Sequence, residues 1–127
     1  MLSIGMLSLS GQVKVFLAVQ PTDMRKSFDS LAALVQETLR QDPLSGHLFV
    51  FRSKRGDRVK ILYWNTHGYA LWYTRLEVGT FRFPAPARED QTSLTISAAD
   101  LAMLLDGVDL TSVKRTKRYR RPACASV

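Results

Sequence analysis

A single cysteine, Cys124, excludes an internal disulfide, and nothing else in the chain points to an oxidising compartment. No apolar run approaches the roughly 18 residues that a membrane span needs. Met1-Leu2-Ser3-Ile4-Gly5-Met6 carries no basic residue ahead of its apolar ones, so the sequence predicts a cytoplasmic protein without a secretory signal. There is no Gly-x-x-x-x-Gly-Lys and no Gly-x-Gly-x-x-Gly to cradle a nucleotide phosphate. The only histidines, His47 and His67, lack the closely spaced His or Cys partners of a zinc site, and Cys124 has no histidine near it to make it a nucleophile. Arg55-Gly56-Asp57 matches an adhesion tripeptide by letter only, because turn chemistry accounts for it. A two-metal nuclease needs carboxylates that converge on two cations. Here Asp23 and Asp57 fall at element ends, where caps and turns claim them, and Glu77, Glu89 and Asp90 fall in loops or element ends. The expectation is a protein with no catalytic residues, no metal and no cofactor.

What is present is a chain of 127 residues, 46% hydrophobic, which suits one domain with a real core and is too short for two. Its charge is uneven. Residues 1–113 hold 12 Lys/Arg against 11 Asp/Glu, and the six cations Lys114, Arg115, Lys117, Arg118, Arg120 and Arg121 follow with no acid among them. We therefore expect a lead-in over residues 1–12, a single domain over 13–113 and a basic, disordered tail over 114–127. Such a tail attracts polyanions by releasing counterions from phosphates. The plainer alternative is a solvated end that aids solubility.

Residues 13–19 form a short β-type run. Thr22 or Asp23 is placed to cap a helix, and Met24, Phe28, Leu31, Val35 and Leu39 then line one face of about 17 residues, read as core. Leu48-Phe49-Val50-Phe51 is apolar on both faces, as a covered strand is. After a turn at residues 53–57, strands are expected over 58–64, 69–73 and 80–83, with a hairpin turn at 65–68. Residues 84–91 read as a loop. Ser97 and Asp100 make a capping-box start to a short helix bearing Leu101, Leu104, Leu105 and Val108, with Gly107 at its stop. The fold class is α+β: an antiparallel sheet of about four or five strands packed by one long helix and a short C-terminal helix.

Arg52, Lys54, Arg55, Arg58 and Lys60 place five cations in nine residues across a strand–turn–strand segment, offset only by Asp57. A two-stranded ribbon of this kind fits a major groove or lies along phosphates. The competing reading is a solvated hairpin whose cations guard a sheet edge. Trp64 shares the expected face of Arg58 and Lys60, whereas the other aromatics read as core.

Thr22-Asp23-Met24-Arg25-Lys26-Ser27-Phe28-Asp29-Ser30-Leu31, Gly46-His47-Leu48-Phe49-Val50-Phe51, Arg55-Gly56-Asp57-Arg58-Val59-Lys60-Ile61-Leu62-Tyr63-Trp64, Leu71-Trp72-Tyr73-Thr74-Arg75-Leu76-Glu77 and Gly79-Thr80-Phe81 follow in an order and spacing that is familiar. Over roughly residues 13–110 the chain resembles the TnpB-type accessory protein, the second open reading frame, of bacterial insertion-sequence-66 elements. The resemblance implies a role in transposition beside a separate transposase that carries the acidic catalytic triad, so transposase and other element-encoded proteins are implied partners. It supplies no catalytic residue. The expected function is a non-catalytic factor, nucleoid-associated in the cytoplasm, that binds DNA and helps assemble the transposase complex. Arg25 and Lys26 join the hairpin and tail cations as candidate contacts, and Arg25, Lys26, Arg55 and Arg58 on one face would favour DNA. An exposed apolar patch would favour an adaptor that binds the transposase with only non-specific DNA affinity. Pairing into a homo-oligomer is a further expectation.

Overall fold

Strands that are apolar at consecutive positions need cover on both faces. In the computed structural model, which describes residues 12–109 and 114–115, β1 (Val15–Ala18) and β2 (Leu48–Arg52) receive that cover at the middle of a sheet. β3 (Arg58–Trp64) and β4 (Tyr69–Arg75) continue from β2 as an antiparallel meander, and β5 (Ser93–Ile96) pairs antiparallel with β1. The order is β4-β3-β2-β1-β5. One pair, β1 with β2, is parallel, because α1 (Phe28–Glu37) carries the chain back across one face before β2 begins. The α+β class therefore holds, with a sheet that is mostly antiparallel.

Side chains alternate between two packed layers. Phe16, Phe49, Phe51 and Leu62 meet Leu31 and Val35 of α1, joined by Leu39. Val15, Leu17, Val50, Val59 and Ile61 meet Leu101 and Leu104 of α2 (Ala98–Leu105), and Phe81 closes the same layer. Each fully buried Leu, Ile or Phe contributes about 1.5–3 kcal/mol, so both covers are needed to keep the sheet. α2 begins as its sequence predicts, with Asp100 N–H donating to Ser97 Oγ at 3.0 Å.

Three local expectations change. The helix starts at Phe28, not near Asp23, because Thr22 N–H donates to Arg52 O at 2.8 Å and the next residues form a turn, with Lys26 N–H donating to Asp23 O at 3.1 Å. Met24 therefore lies ahead of the helix, and Phe28 is more exposed than buried stripe residues. Residues 80–83 are no strand. Phe81 is buried and Arg82 exposed, so the segment alternates like a strand, yet Phe81 N–H donates to Gly56 O at 2.8 Å and ties it across a turn. The fifth strand is Ser93–Ile96, whose Leu94 and Ile96 pack against the α2 layer. A separate antiparallel ladder joins β6 (Val108–Asp109) to β7 (Lys114–Arg115). The expected lead-in up to residue 11 and the tail from 116 onward lie outside the described residues.

Candidate functional site

The turn between β2 and β3 is built by one serine. Ser53 N–H donates to Arg58 O at 3.0 Å, Arg58 N–H donates to Ser53 Oγ at 3.1 Å, and that hydroxyl donates to Asp57 Oδ1 at 3.2 Å. Gly56 completes the turn at φ +81°, a conformation that costs glycine little. Its Cα faces Thr80 closely enough that an added Cβ would sit 3.5 Å from the Thr80 Cβ. Leu76 N–H donates to Asp57 O at 2.7 Å, so residues 76–83 form a strap docked along the turn.

Between the strap, the turn and the end of β1 opens a cleft of about 680 Å³. Arg52, Lys54, Arg55 and Arg82 line it, with Phe81, Phe83, Pro84 and Pro86, and among the described residues no carboxylate is in its walls. Arg52 is tethered there, its Nη2 donating to Val19 O at 3.0 Å and its guanidinium carbon 5.8 Å from the Phe83 ring centroid. Lys54, Arg55 and Arg82 are exposed. The ion pairs among the described residues, Arg25–Asp23, Arg75–Glu77 and Arg88–Asp90, leave all of these cations out. Like charges without an ion-pair partner among the described residues raise the local potential and favour an anion.

The other residues singled out in the sequence go elsewhere. Lys60 is 6% exposed, and its Nζ donates to Met24 O at 2.7 Å and to Lys26 O at 2.6 Å, 4.7 Å from the Tyr73 centroid. It is a structural cation, out of reach of a phosphate. Arg58 is half-buried opposite Arg75 on β4, on the α1 side of the sheet. Trp64 packs edge-on against Tyr69, with centroids 5.2 Å apart. Arg25 is exposed but grips Asp23, with Nη2 to Oδ2 at 2.8 Å and Nε to Oδ1 at 3.1 Å. That hydrogen bonding holds the Asp23 carboxyl down at about 2, so it is ionised at neutral pH. Lys26 borders a smaller apolar groove beside α1, with Leu34, Leu39 and Phe51. Arg25 and Lys26 thus do not join Lys54 and Arg55. Lys114 and Arg115 form β7, and Lys117, Arg118, Arg120 and Arg121 lie outside the described residues. The larger exposed apolar side chains, Phe28, Leu44, Tyr73 and Met103, come from four separate segments.

Arg82 and Phe83 escaped the sequence reading because their alternation is that of a strand. Only the strap's backbone bond to Gly56 brings Arg82 to the same cleft as Lys54. His47 serves packing: its Nδ1 accepts Lys14 N–H at 3.0 Å and its ring meets Phe16 edge-on. Among the described residues no group of three or more His, Cys, Asp or Glu is placed to hold a metal ion, and no helix is long and apolar enough to cross a membrane.

Known proteins resemble the chain along most of its length. A family model described as IS66 Orf2 like protein matches residues 13–115. "Uncharacterized protein y4jC" of Sinorhizobium fredii (strain NBRC 101917 / NGR234) is 39% identical over 117 residues, which cover 92% of this chain and 97% of its own. "Uncharacterized protein y4hO" of the same strain is 41% identical over 110 residues, covering 86% and 93%. No solved structure matches the chain.

Proposed function

This chain belongs to the IS66 Orf2-like family, and from that premise we propose that it serves the transposition of an insertion sequence as a non-catalytic, DNA-binding accessory factor. The cleft cations and the basic tail would engage phosphates and so help assemble the transposase complex on DNA. One observation supports this reading above the others: Arg52, Lys54, Arg55 and Arg82 border a single cleft with no acid among its described wall residues. The body is close to neutral over residues 1–113, so this concentration of cations reflects placement and not an excess of basic residues.

The test is binding of the full chain to element-end DNA and to scrambled DNA across a salt series of roughly 50–200 mM. Each phosphate contact contributes about 0.9 to the slope of log K against log salt. Replacing Lys54, Arg55 and Arg82 together by glutamine should lower that slope by roughly two to three and weaken binding to both DNAs. An unchanged slope and affinity would move the reading to an adaptor that binds the transposase.

A further inference from the structure

We propose that the cleft receives one strand of DNA, not a duplex, with a phosphate against Lys54, Arg55 and Arg82 and a base laid against the Arg52–Phe83 pair. This rests on the DNA-binding reading above and specifies the form of DNA that the site takes.

Duplex recognition by a β-ribbon needs a free two-stranded element that can enter a groove about 12 Å wide. The β2–β3 turn is not free, because Leu76 N–H and Phe81 N–H bond it at Asp57 and Gly56 and the strap lies along it. What the protein offers instead is a concavity. At about 680 Å³ it is an open cleft within the volume range of small-molecule sites. A duplex presents its phosphates on a convex cylinder and cannot fill such a space, whereas one strand can turn a sugar, a phosphate and a base into it.

Single strands are held by cations that follow the backbone together with flat surfaces on which bases stack. Both are present in the same walls. Lys54, Arg55 and Arg82 are exposed cations at the rim. The Arg52 guanidinium, bonded to the Val19 carbonyl, lies over Phe83 with its carbon 5.8 Å from the ring centroid, so a cation and an aromatic ring are placed together before any ligand arrives. Pro84 and Pro86, which carry no backbone N–H, extend an apolar wall beside it. Among the described residues no carboxylate stands in those walls to read a base edge or to repel the strand.

The experiment is fluorescence anisotropy with the full chain and three labelled probes of one length: a single strand, the matching duplex and a single strand with abasic sites. The expected result is single-strand binding about tenfold tighter than duplex binding, with most of that margin lost on the abasic probe. Phe83→Leu should weaken the single strand and leave the duplex unchanged. Arg82→Gln, an exposed position that leaves the core intact, should weaken the single strand and the abasic probe alike. Duplex binding as tight as single-strand binding overturns the single-strand proposal while leaving a DNA-binding protein. So does a single-strand affinity that ignores both Phe83→Leu and Arg82→Gln when Lys54→Gln and Arg55→Gln still weaken the duplex. Affinity for every probe that none of the cleft substitutions alters overturns the DNA reading of the cleft itself.

Discussion

The ammonium of Lys60 is enclosed by the carbonyls of Met24 and Lys26, whereas that of Lys54 stands in solvent. A hydrogen bond to a charged group contributes about 1.5–3 kcal/mol, and a carbonyl left buried without a donor costs about 1–3 kcal/mol. Lys60→Met should therefore lower the unfolding free energy in urea by about 3 kcal/mol. Lys54→Gln should change it by less than about 0.5 kcal/mol and act instead on DNA affinity. His47 provides a second residue-scale prediction. Burial, and then the nearby Lys14 charge, push its pKa below the ordinary 6.5, and its Nδ1 must be unprotonated to accept Lys14 N–H. The unfolded chain thus binds a proton more readily than the folded one. The stability due to neutral His47 is fully present above about pH 6.5 and is lost as pH falls below it toward the depressed folded value. Urea midpoints measured between pH 7.5 and 5 should fall in the native chain and flatten in His47→Gln, apart from contributions of other groups.

At the scale of elements, the strap and the turn act as one unit. Gly56 holds φ +81° with Thr80 against it, and its carbonyl accepts Phe81 N–H. A side chain at such a φ costs about 1–2 kcal/mol. Gly56→Ala should lower stability by about that amount and also weaken DNA binding, since the strap carries Arg82 to the cleft. Binding that stays native in this variant would separate the strap from the site. The helices show how far local signals reach. Ser97 and Asp100 mark the start of α2 because a capping box involves neighbours only. The start of α1 shifted by several residues because Thr22 is bonded to the distant Arg52 and Lys60 occupies the carbonyls of Met24 and Lys26. Likewise Leu94 and Ile96 became a strand through pairing with β1, while the equally alternating Phe81 and Phe83 found no strand partner.

Over the whole molecule, charge separates into a near-neutral body and a cationic end. The tail can contribute at most six phosphate contacts, a salt slope of roughly five. Substituting Lys117, Arg118, Arg120 and Arg121 by glutamine, while keeping the β6–β7 ladder, should remove a slope of up to roughly 3.6 and weaken single strands and duplexes alike. A substitution in the tail that altered the preference between them would place the selective site there and not in the cleft.

The blocks that mark the family, the covered strand β2, the glycine turn and the capped second helix were legible in the sequence, because each is carried by residues close together in the chain. The use made of each cation was not. Lys60 is drawn inward by Met24 and Lys26, Arg25 is neutralised by Asp23 within its own turn, and Arg52 is tethered to Val19. Arg82 reaches the cleft beside Lys54 and Arg55 through a backbone bond between the strap and the turn. Charge and spacing are properties of the chain, and they determined that this is a small α+β protein with a basic end. Which charges stay available is decided by desolvation and by carbonyls contributed from distant segments, and only the tertiary structure brings those together.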